Sequence, residues 1–106
     1  MKHTDQLWGG ILDEVALDVN AQTLTLFVTV THGQASVRHE LRMLGVNELH
    51  FVNAIPSPWE YAEVTELRIE RDTVSGRWRF EIVLWSENAS ITGQCSGATM
   101  DGAEQT

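Results

Sequence analysis

The chain contains little cysteine, little proline, few basic residues and no long apolar run, and these shortages exclude several classes of protein. Cys95 is the single cysteine among 106 residues, so no internal disulfide can form. A reducing cytoplasm is therefore the expected compartment. No apolar run approaches the roughly 20 residues of a membrane-spanning helix, and the polar start of the chain does not resemble a secretory signal. We expect a cytoplasmic protein that does not interact with a membrane.

Basic residues are outnumbered by acidic ones, 7 to 15, which gives a formal net charge of −8. Proteins that bind nucleic acids usually present a basic stripe, and the arginines here are scattered, so we expect no nucleic-acid partner. An acidic surface keeps a small domain soluble, and it also attracts a basic partner during diffusional encounter.

The chain is rich in short segments in which apolar and polar residues alternate. This period of two, interrupted by short turn-forming segments, predicts an all-β domain: a mostly antiparallel meander of about seven strands. The meander is expected to form a curved sheet, a sandwich or a half-barrel. The residues expected on one face of the first strand are Ile11, Asp13, Val15, Leu17 and Val19.

The domain limits follow from the same pattern. Residues 1–6 are polar and are expected to be a flexible N-terminus, and residues 7–96 contain the strand pattern of a single β domain. Residues 97–106 are small, polar and acidic, so we expect a flexible tail there. Some strands, the sixth above all, are apolar on both faces, which leaves homodimerisation open.

No arrangement of residues in the sequence indicates catalysis, a metal site or a cofactor site. Cys95 falls on the apolar side of a strand, where a cysteine packs as a small hydrophobic residue. The four histidines have no ligand spacing, and no glycine-rich loop leads into a helix. We therefore expect a protein that is not an enzyme and that holds no metal or cofactor.

The segment "PSPWEY", residues 56–61, interrupts the alternation and carries the strongest functional signal. Its prolines favour one helical turn at 58–62 that leads into the next strand. Tryptophan and tyrosine at exposed positions are common interface anchors. The predicted partner-binding residues are Trp59, Glu60, Tyr61 and Glu63, with Trp85 as a second patch. In a strand that starts near Val64, Glu63 is expected to point away from the face of Glu66 and Glu70.

Two alternatives to protein binding stay open. In the first, Trp8 and His39 line the mouth of a pocket together with Trp59 and Tyr61, and the chain binds a small molecule. That alternative predicts a closed apolar pocket near these side chains. In the second, the chain is a structural homo-oligomer in which the two-faced strands pack against a copy.

Two stretches resemble a pattern found in small bacterial proteins, the YxiG-like group and related immunity proteins of polymorphic toxin systems. They are "LWGGILDEVALDVNAQTLTLFVTV" and "LGVNELHFVNAIPSPWEYAEVTELRIE". Relatives often carry a His-Asp pair where this chain has Gly9 and Gly10. The resemblance implies a non-enzymatic binding protein, and assigns no role to a particular residue. Combined with the acidic charge, it leads us to expect an immunity-like protein that masks a basic toxin.

Overall fold

The fold is an antiparallel β-sandwich, seen in a computed structural model that describes residues 4–53, 62–85 and 89–106. Sheet A has the strand order β1-β2-β3-β8-β9, and sheet B has the order β4-β7-β6-β5. The predicted all-β, antiparallel class is therefore confirmed. The strands are β1 Ile11–Asp18, β2 Thr23–His32, β3 Ala35–Leu44, β4 Asn47–Asn53, β5 Val64–Arg71, β6 Trp78–Leu84, β7 Ala89–Cys95, β8 Gly97–Met100 and β9 Ala103–Glu104.

The first three strands form the predicted meander, because links of only a few residues permit no other pairing than antiparallel neighbours. Strand β2 lies between β1 and β3. Its aliphatic side chains at every second position are buried, as the alternation predicts. These side chains are Leu24, Leu26, Val28 and Val30.

Strand β1 departs from the expected alternation. A β-bulge between Leu12 and Glu14 adds one residue to the strand, and Leu12 is buried in place of its neighbours. An extra residue exchanges the two faces of everything that follows it. After the bulge, Val15 and Leu17 lie opposite Leu26 and Leu24, and Val15 packs against the core. Leu17 is half-exposed on this edge strand, and Val19 lies beyond its end.

The two sheets share strands that continue from one sheet into the other. Only Gly45 and Val46 separate β3 from β4, and only Ser96 separates β7 from β8. At this corner the Ser96 amide donates a hydrogen bond to the Leu44 carbonyl (2.8 Å). A second junction joins the start of β1 to β5 through an antiparallel bridge between Ile11 and Glu63. These junctions place the apolar faces of the two sheets against each other.

The core between the sheets is apolar and closely packed. It contains twenty buried hydrophobic residues, with Phe80 and Ile82 of β6 near its centre, and Trp78 packs against it as predicted. Phe80 fits because Gly93 on the neighbouring strand has no side chain: a Cβ there would lie 2.7 Å from the ring. A close-packed interior of this kind has little room for a ligand.

Both ends of the described chain are tied to the domain, in contrast to the expected flexible segments. Thr4–Leu7 forms a 3-10 turn that buries Leu7, and residues 1–3 lie outside the described residues. Residues 97–106 were expected to be a flexible tail, yet β8 pairs with β3 and β9 pairs with β8. Ala98 and Met100 are small or flexible apolar residues, and their burial against sheet A explains the order of this segment.

The predicted helical turn at 58–62 lies outside the described residues, apart from Ala62, which is buried and not helical. None of the helical structure described in 4–53, 62–85 and 89–106 is long and apolar enough to cross a membrane.

Candidate functional site

A concave surface lies on the outer face of sheet B, the face that points away from the core. Cross-strand pairing aligns side chains there in rows: His50 of β4 lies beside Thr92 of β7, Thr92 beside Glu81 of β6, and Glu81 beside Arg68 of β5. The adjacent row contains Gln94, Arg79 and Glu70. We call this concavity of about 480 Å³ the groove. Its lining residues are Glu48, His50, Arg68, Glu70, Arg79, Phe80, Glu81, Thr92, Gly93 and Gln94.

Charges of both signs alternate within the groove. Arg68 faces Glu81 across the strands, and Glu70 faces Arg79. The Arg68 guanidinium forms an ion pair with Glu66. Within the part of the chain that the structure describes, the other charged side chains of the groove form no ion pair within 4.0 Å. The groove therefore presents side chains of both charges.

The outer face of sheet B becomes apolar at one end. Val52, Ser90 and Val83 form the row beyond His50, Thr92 and Glu81. Trp85 comes directly after the end of β6, in a 3-10 conformation, and its backbone amide binds the Glu63 carbonyl. Trp85 is 56% exposed and Val52 is 54% exposed. We call Val52, Val83 and Trp85 the apolar end.

Glu63 lies beside this apolar end, contrary to the expectation that it points to the other face. A β-bulge between Val64 and Glu66 shifts the register by one residue, and Glu63 therefore shares the outer face with Glu66. The Trp85 amide donates a hydrogen bond to the Glu63 carbonyl (2.8 Å), which places these residues opposite each other across β5 and β6. The structure thus brings together two residues predicted to bind a partner.

The remaining predicted partner-binding residues, Trp59, Glu60 and Tyr61, lie outside the described residues. Their assignment stays a prediction.

Trp8 and His39, the two residues predicted to line a ligand mouth, have separate environments. The Trp8 indole N–H donates a hydrogen bond to the Leu67 carbonyl of β5 (3.2 Å), with the ring 46% exposed. His39 lies on β3, and its Nδ1 is 2.6 Å from a carboxylate oxygen of Asp101. Neither residue lines the groove.

An apolar void is present in the core, but it is far smaller than a ligand pocket. Its volume is about 10 Å³, whereas small-molecule sites typically measure about 300–1,000 Å³. Its lining comes from core side chains of both sheets, and neither Trp8 nor His39 contributes to it. This void therefore does not provide the closed apolar pocket that small-molecule binding predicts.

Asp101 holds the turn between β8 and β9 against β3. Partial burial acts to raise the pKa of Asp101, but hydrogen bonds from the Glu40 amide and from His39, with the charge of His39, outweigh it and lower the pKa below its ordinary value. The second carboxylate oxygen lies 2.8 Å from the Glu40 nitrogen. Because these contacts bind His39 Nδ1 and both carboxylate oxygens within the fold, we assign this pair a structural role.

Cys95 has the environment of a core residue rather than of a nucleophile. It is completely buried on β7, and this burial raises the pKa of its thiol despite a hydrogen bond from the Gly97 backbone. Among the residues that the structure describes, no three His, Cys, Asp or Glu side chains are grouped so that they could hold a metal ion.

The sequence did not indicate the groove, because its residues come from four separate strands. Each contributes polar residues at alternate positions, which is typical of any solvent-facing strand. The strand order β4-β7-β6-β5 is what makes them neighbours. The one signal present in the sequence was that polar residues face outward on all four strands.

An all-β sandwich with a polar groove on one outer face is the class of protein that this geometry defines. No family model and no curated protein matches the chain. The chain is similar to a solved structure described as an uncharacterized protein from Neisseria gonorrhoeae, with a TM-score of 0.61 and 14% sequence identity. The match covers 89% of this chain and 91% of that one. At this identity the likeness shows a shared fold and nothing about function.

Proposed function

We propose that this chain is a non-enzymatic protein-binding domain that acts in the cytoplasm through the outer face of sheet B. The observation that carries the proposal is the exposure of Trp85, a large ring directly after the end of β6, in a domain whose core is filled. Exposed tryptophan is costly to leave in water and is enriched at the centres of protein interfaces.

Two features support a basic partner. The chain carries a net charge of −8, and Glu63 lies across from Trp85 at the apolar end. Complementary charge raises the association rate, whereas a buried aromatic anchor lowers the dissociation rate. The more specific form of the proposal is an immunity-like protein that masks a basic toxin, and it draws on the sequence resemblance described above.

The proposal is tested with the intact chain as bait in an extract of its native host. Tagged wild type and Trp85→Ala are compared, with Leu17→Ala as the matched control, because Leu17 is a similarly exposed apolar residue on sheet A. A protein captured by wild type and by Leu17→Ala, but lost with Trp85→Ala, supports the proposal. Equal capture by all three variants contradicts it. A basic protein encoded next to this chain would support the immunity-like form.

The same apolar end favours a second candidate function, a homo-oligomer in which copies pack through sheet B. Val83, with Trp85 directly after the strand, makes the last part of β6 apolar on its outer face as well as its inner face, and apolar surface on both sides of a strand is usually covered. Light scattering at several concentrations tests this candidate. A mass that rises with concentration, and returns to the monomer value in Trp85→Ala, favours it over a heterologous partner.

A further inference from the structure

We propose that the groove on sheet B binds a basic side chain, arginine or lysine, of the partner protein whose main contact is the apolar end. This inference rests on the proposed function and adds to it the chemistry of recognition. It follows from the charges of the groove and from the continuity of the groove with the apolar end.

The carboxylates of the groove come from three strands. Glu70 of β5 and Glu81 of β6 are diagonal neighbours, since Glu81 lies beside Arg68 and Glu70 beside Arg79. Glu48 of β4 contributes a third carboxylate to the lining. Within the described part of the chain these three make no ion pair within 4.0 Å. A cation placed among them is attracted by three carboxylates, of which Glu70 and Glu81 also face Arg79 and Arg68 across the strands.

The two arginines of the groove do not cancel this charge. Arg68 is held by Glu66, so its charge is largely compensated at the rim. Arg79 remains as the cation of the groove that forms no ion pair within the described residues. With Glu66 included, the surface carries four carboxylates and two guanidinium groups, and it therefore favours a cation over an anion.

The floor of the groove suits the aliphatic part of a lysine or arginine side chain. Gly93 and Phe80 line the groove between its charged rows. Thr92 and Gln94 offer hydroxyl and amide oxygens that accept hydrogen bonds from an ammonium or guanidinium group. A long basic side chain can therefore place its methylene groups on the floor and its charge against Glu70 and Glu81.

The groove and the apolar end lie on one continuous surface. Glu81 precedes Val83, a residue of the apolar end, by two positions, which corresponds to about 7 Å along β6. One partner surface can cover both, with an apolar pocket on Trp85 and a basic residue in the groove. This combination of an apolar anchor with a charged contact nearby is common in protein interfaces.

The test uses capped tripeptide probes and amide chemical shifts of the intact chain. The probes are acetyl-Gly-Arg-Gly-amide, with the matching Gln and Glu peptides. We expect the Arg peptide to shift saturably the amides of Glu48, Glu70, Arg79, Glu81 and Gln94. The Gln peptide should shift them less, and the Glu peptide should leave them unchanged. Equal shifts with Arg and Gln, stronger shifts with Glu, or no saturable shift at all would overturn the inference.

A matched pair of double variants locates the binding. Glu70→Gln with Glu81→Gln should weaken binding of the Arg peptide about fivefold, as expected for the loss of exposed charge contacts. Glu14→Gln with Glu104→Gln makes the same change in net charge on sheet A and should leave binding unchanged. Equal weakening in both pairs would show attraction to overall charge and would overturn the inference.

Trp85→Ala separates this inference from the proposed function. Loss of the captured partner together with retained Arg-peptide binding supports both. If Trp85→Ala binds the Arg peptide and still captures the partner, the result supports the groove as a binding site and contradicts Trp85 as the anchor. Loss of partner capture with no Arg-peptide binding to wild type leaves the proposed function standing and overturns the groove assignment.

Discussion

Asp101 illustrates how a single residue joins distant parts of this fold. It adopts φ of 52° at the turn after β8, a conformation that aspartate and asparagine tolerate better than most residues. Its backbone and carboxylate both bind Glu40, and the carboxylate also binds His39. The β8–β9 segment is therefore fastened to β3 by one side chain.

Replacing Asp101 by asparagine should make stability less dependent on pH. The folded-state pKa of Asp101 is depressed, so its charge stabilises the fold above the ordinary value of 3.8, and this contribution is lost as pH falls through the lower folded value. Asn keeps the backbone conformation but lacks the charge. We expect a loss of about 1 kcal/mol near pH 7, measured by urea unfolding.

The same measurement repeated at acidic pH provides the check. The difference in unfolding free energy between wild type and Asp101→Asn should shrink once the pH falls below 4. A difference that stays constant from neutral to acidic pH would contradict the assigned role of the Asp101 charge.

His39 shows what residue-level prediction could and could not achieve. Alternation along β3 places it on the side of Leu41 and Met43, and this was readable from the sequence. Its partner Asp101 lies 62 positions away, in a segment expected to be flexible. Because that pairing depends on β8 joining sheet A, no local pattern could reveal it.

At the scale of elements, the corner where β3 turns into β4 depends on Gly45. Its φ of +62° is unfavourable for other residues, and a Cβ at this position would lie 2.7 Å from the Ser96 hydroxyl oxygen. The corner lets two pairs of strands continue from sheet A into sheet B. The close approach of Gly45 to Ser96 is therefore required for the two sheets to join at this corner.

Gly45→Ala should destabilise the protein more than Gly33→Ala. Both glycines have φ of +62°, but nothing lies within 4 Å of a Cβ added at Gly33. The strain of about 1–2 kcal/mol is common to both, and the contact with Ser96 should add about 1–3 kcal/mol at Gly45 alone. Thermal or urea unfolding of the two variants measures the difference.

A third variant controls for that contact. Adding Ser96→Ala to Gly45→Ala removes the nearest atom and should recover part of the lost stability beyond what Ser96→Ala shows alone. Equal destabilisation by the two glycine variants would contradict the packing of this corner.

The C-terminal strands give a prediction that requires no mutation. The amide of Asp101 donates to the Glu40 carbonyl and that of Gln105 to the Ala98 carbonyl. Both should exchange their hydrogens at least about 100-fold more slowly than an unstructured segment does. Hydrogen exchange followed by NMR measures this directly. Exchange at random-coil rates would support the flexible tail that the sequence suggested.

Element prediction succeeded where alternation was regular and failed where bulges intervened. Strands β2 and β3 follow their patterns without interruption, whereas bulges in β1 and β5 exchange the faces of Leu12 and Glu63. A bulge depends on the pairing of two strands and leaves no mark in either one alone. Polar composition similarly concealed β8, whose Ala98 and Met100 are too few to form a visible pattern.

For the whole molecule, composition and periodicity were sufficient to predict the all-β class. They were not sufficient to predict the groove and the apolar end on the outer face of sheet B. The order β4-β7-β6-β5 assembles the groove and the apolar end, and it depends on the pairing of β4 with β7, which are not successive strands. Which non-successive strands pair is decided by how their side chains pack in the complete core, and not by the local strand propensity of each segment. Trp85 was identifiable from the sequence because it is out of phase with the core row of β6, but the neighbours that give it a role were not.

The acidic charge of the whole molecule makes a kinetic prediction. With a net charge of −8, association with a basic partner should slow by about tenfold or more between 0.02 and 0.5 M salt. The dissociation rate should change much less, because the apolar anchor is insensitive to screening. Stopped-flow or surface-based kinetics measures both rates. An association rate independent of salt would contradict electrostatic steering.

The most direct test of protein binding through sheet B is the dissociation constant of the captured partner for wild type, Trp85→Ala and Leu17→Ala, measured by isothermal titration calorimetry. Loss of an aromatic anchor should weaken binding by about 30-fold, or roughly 2 kcal/mol. The control should bind like wild type, and all three should unfold at similar temperatures. An unchanged dissociation constant for Trp85→Ala would contradict the claim that this face of the sandwich is the binding surface.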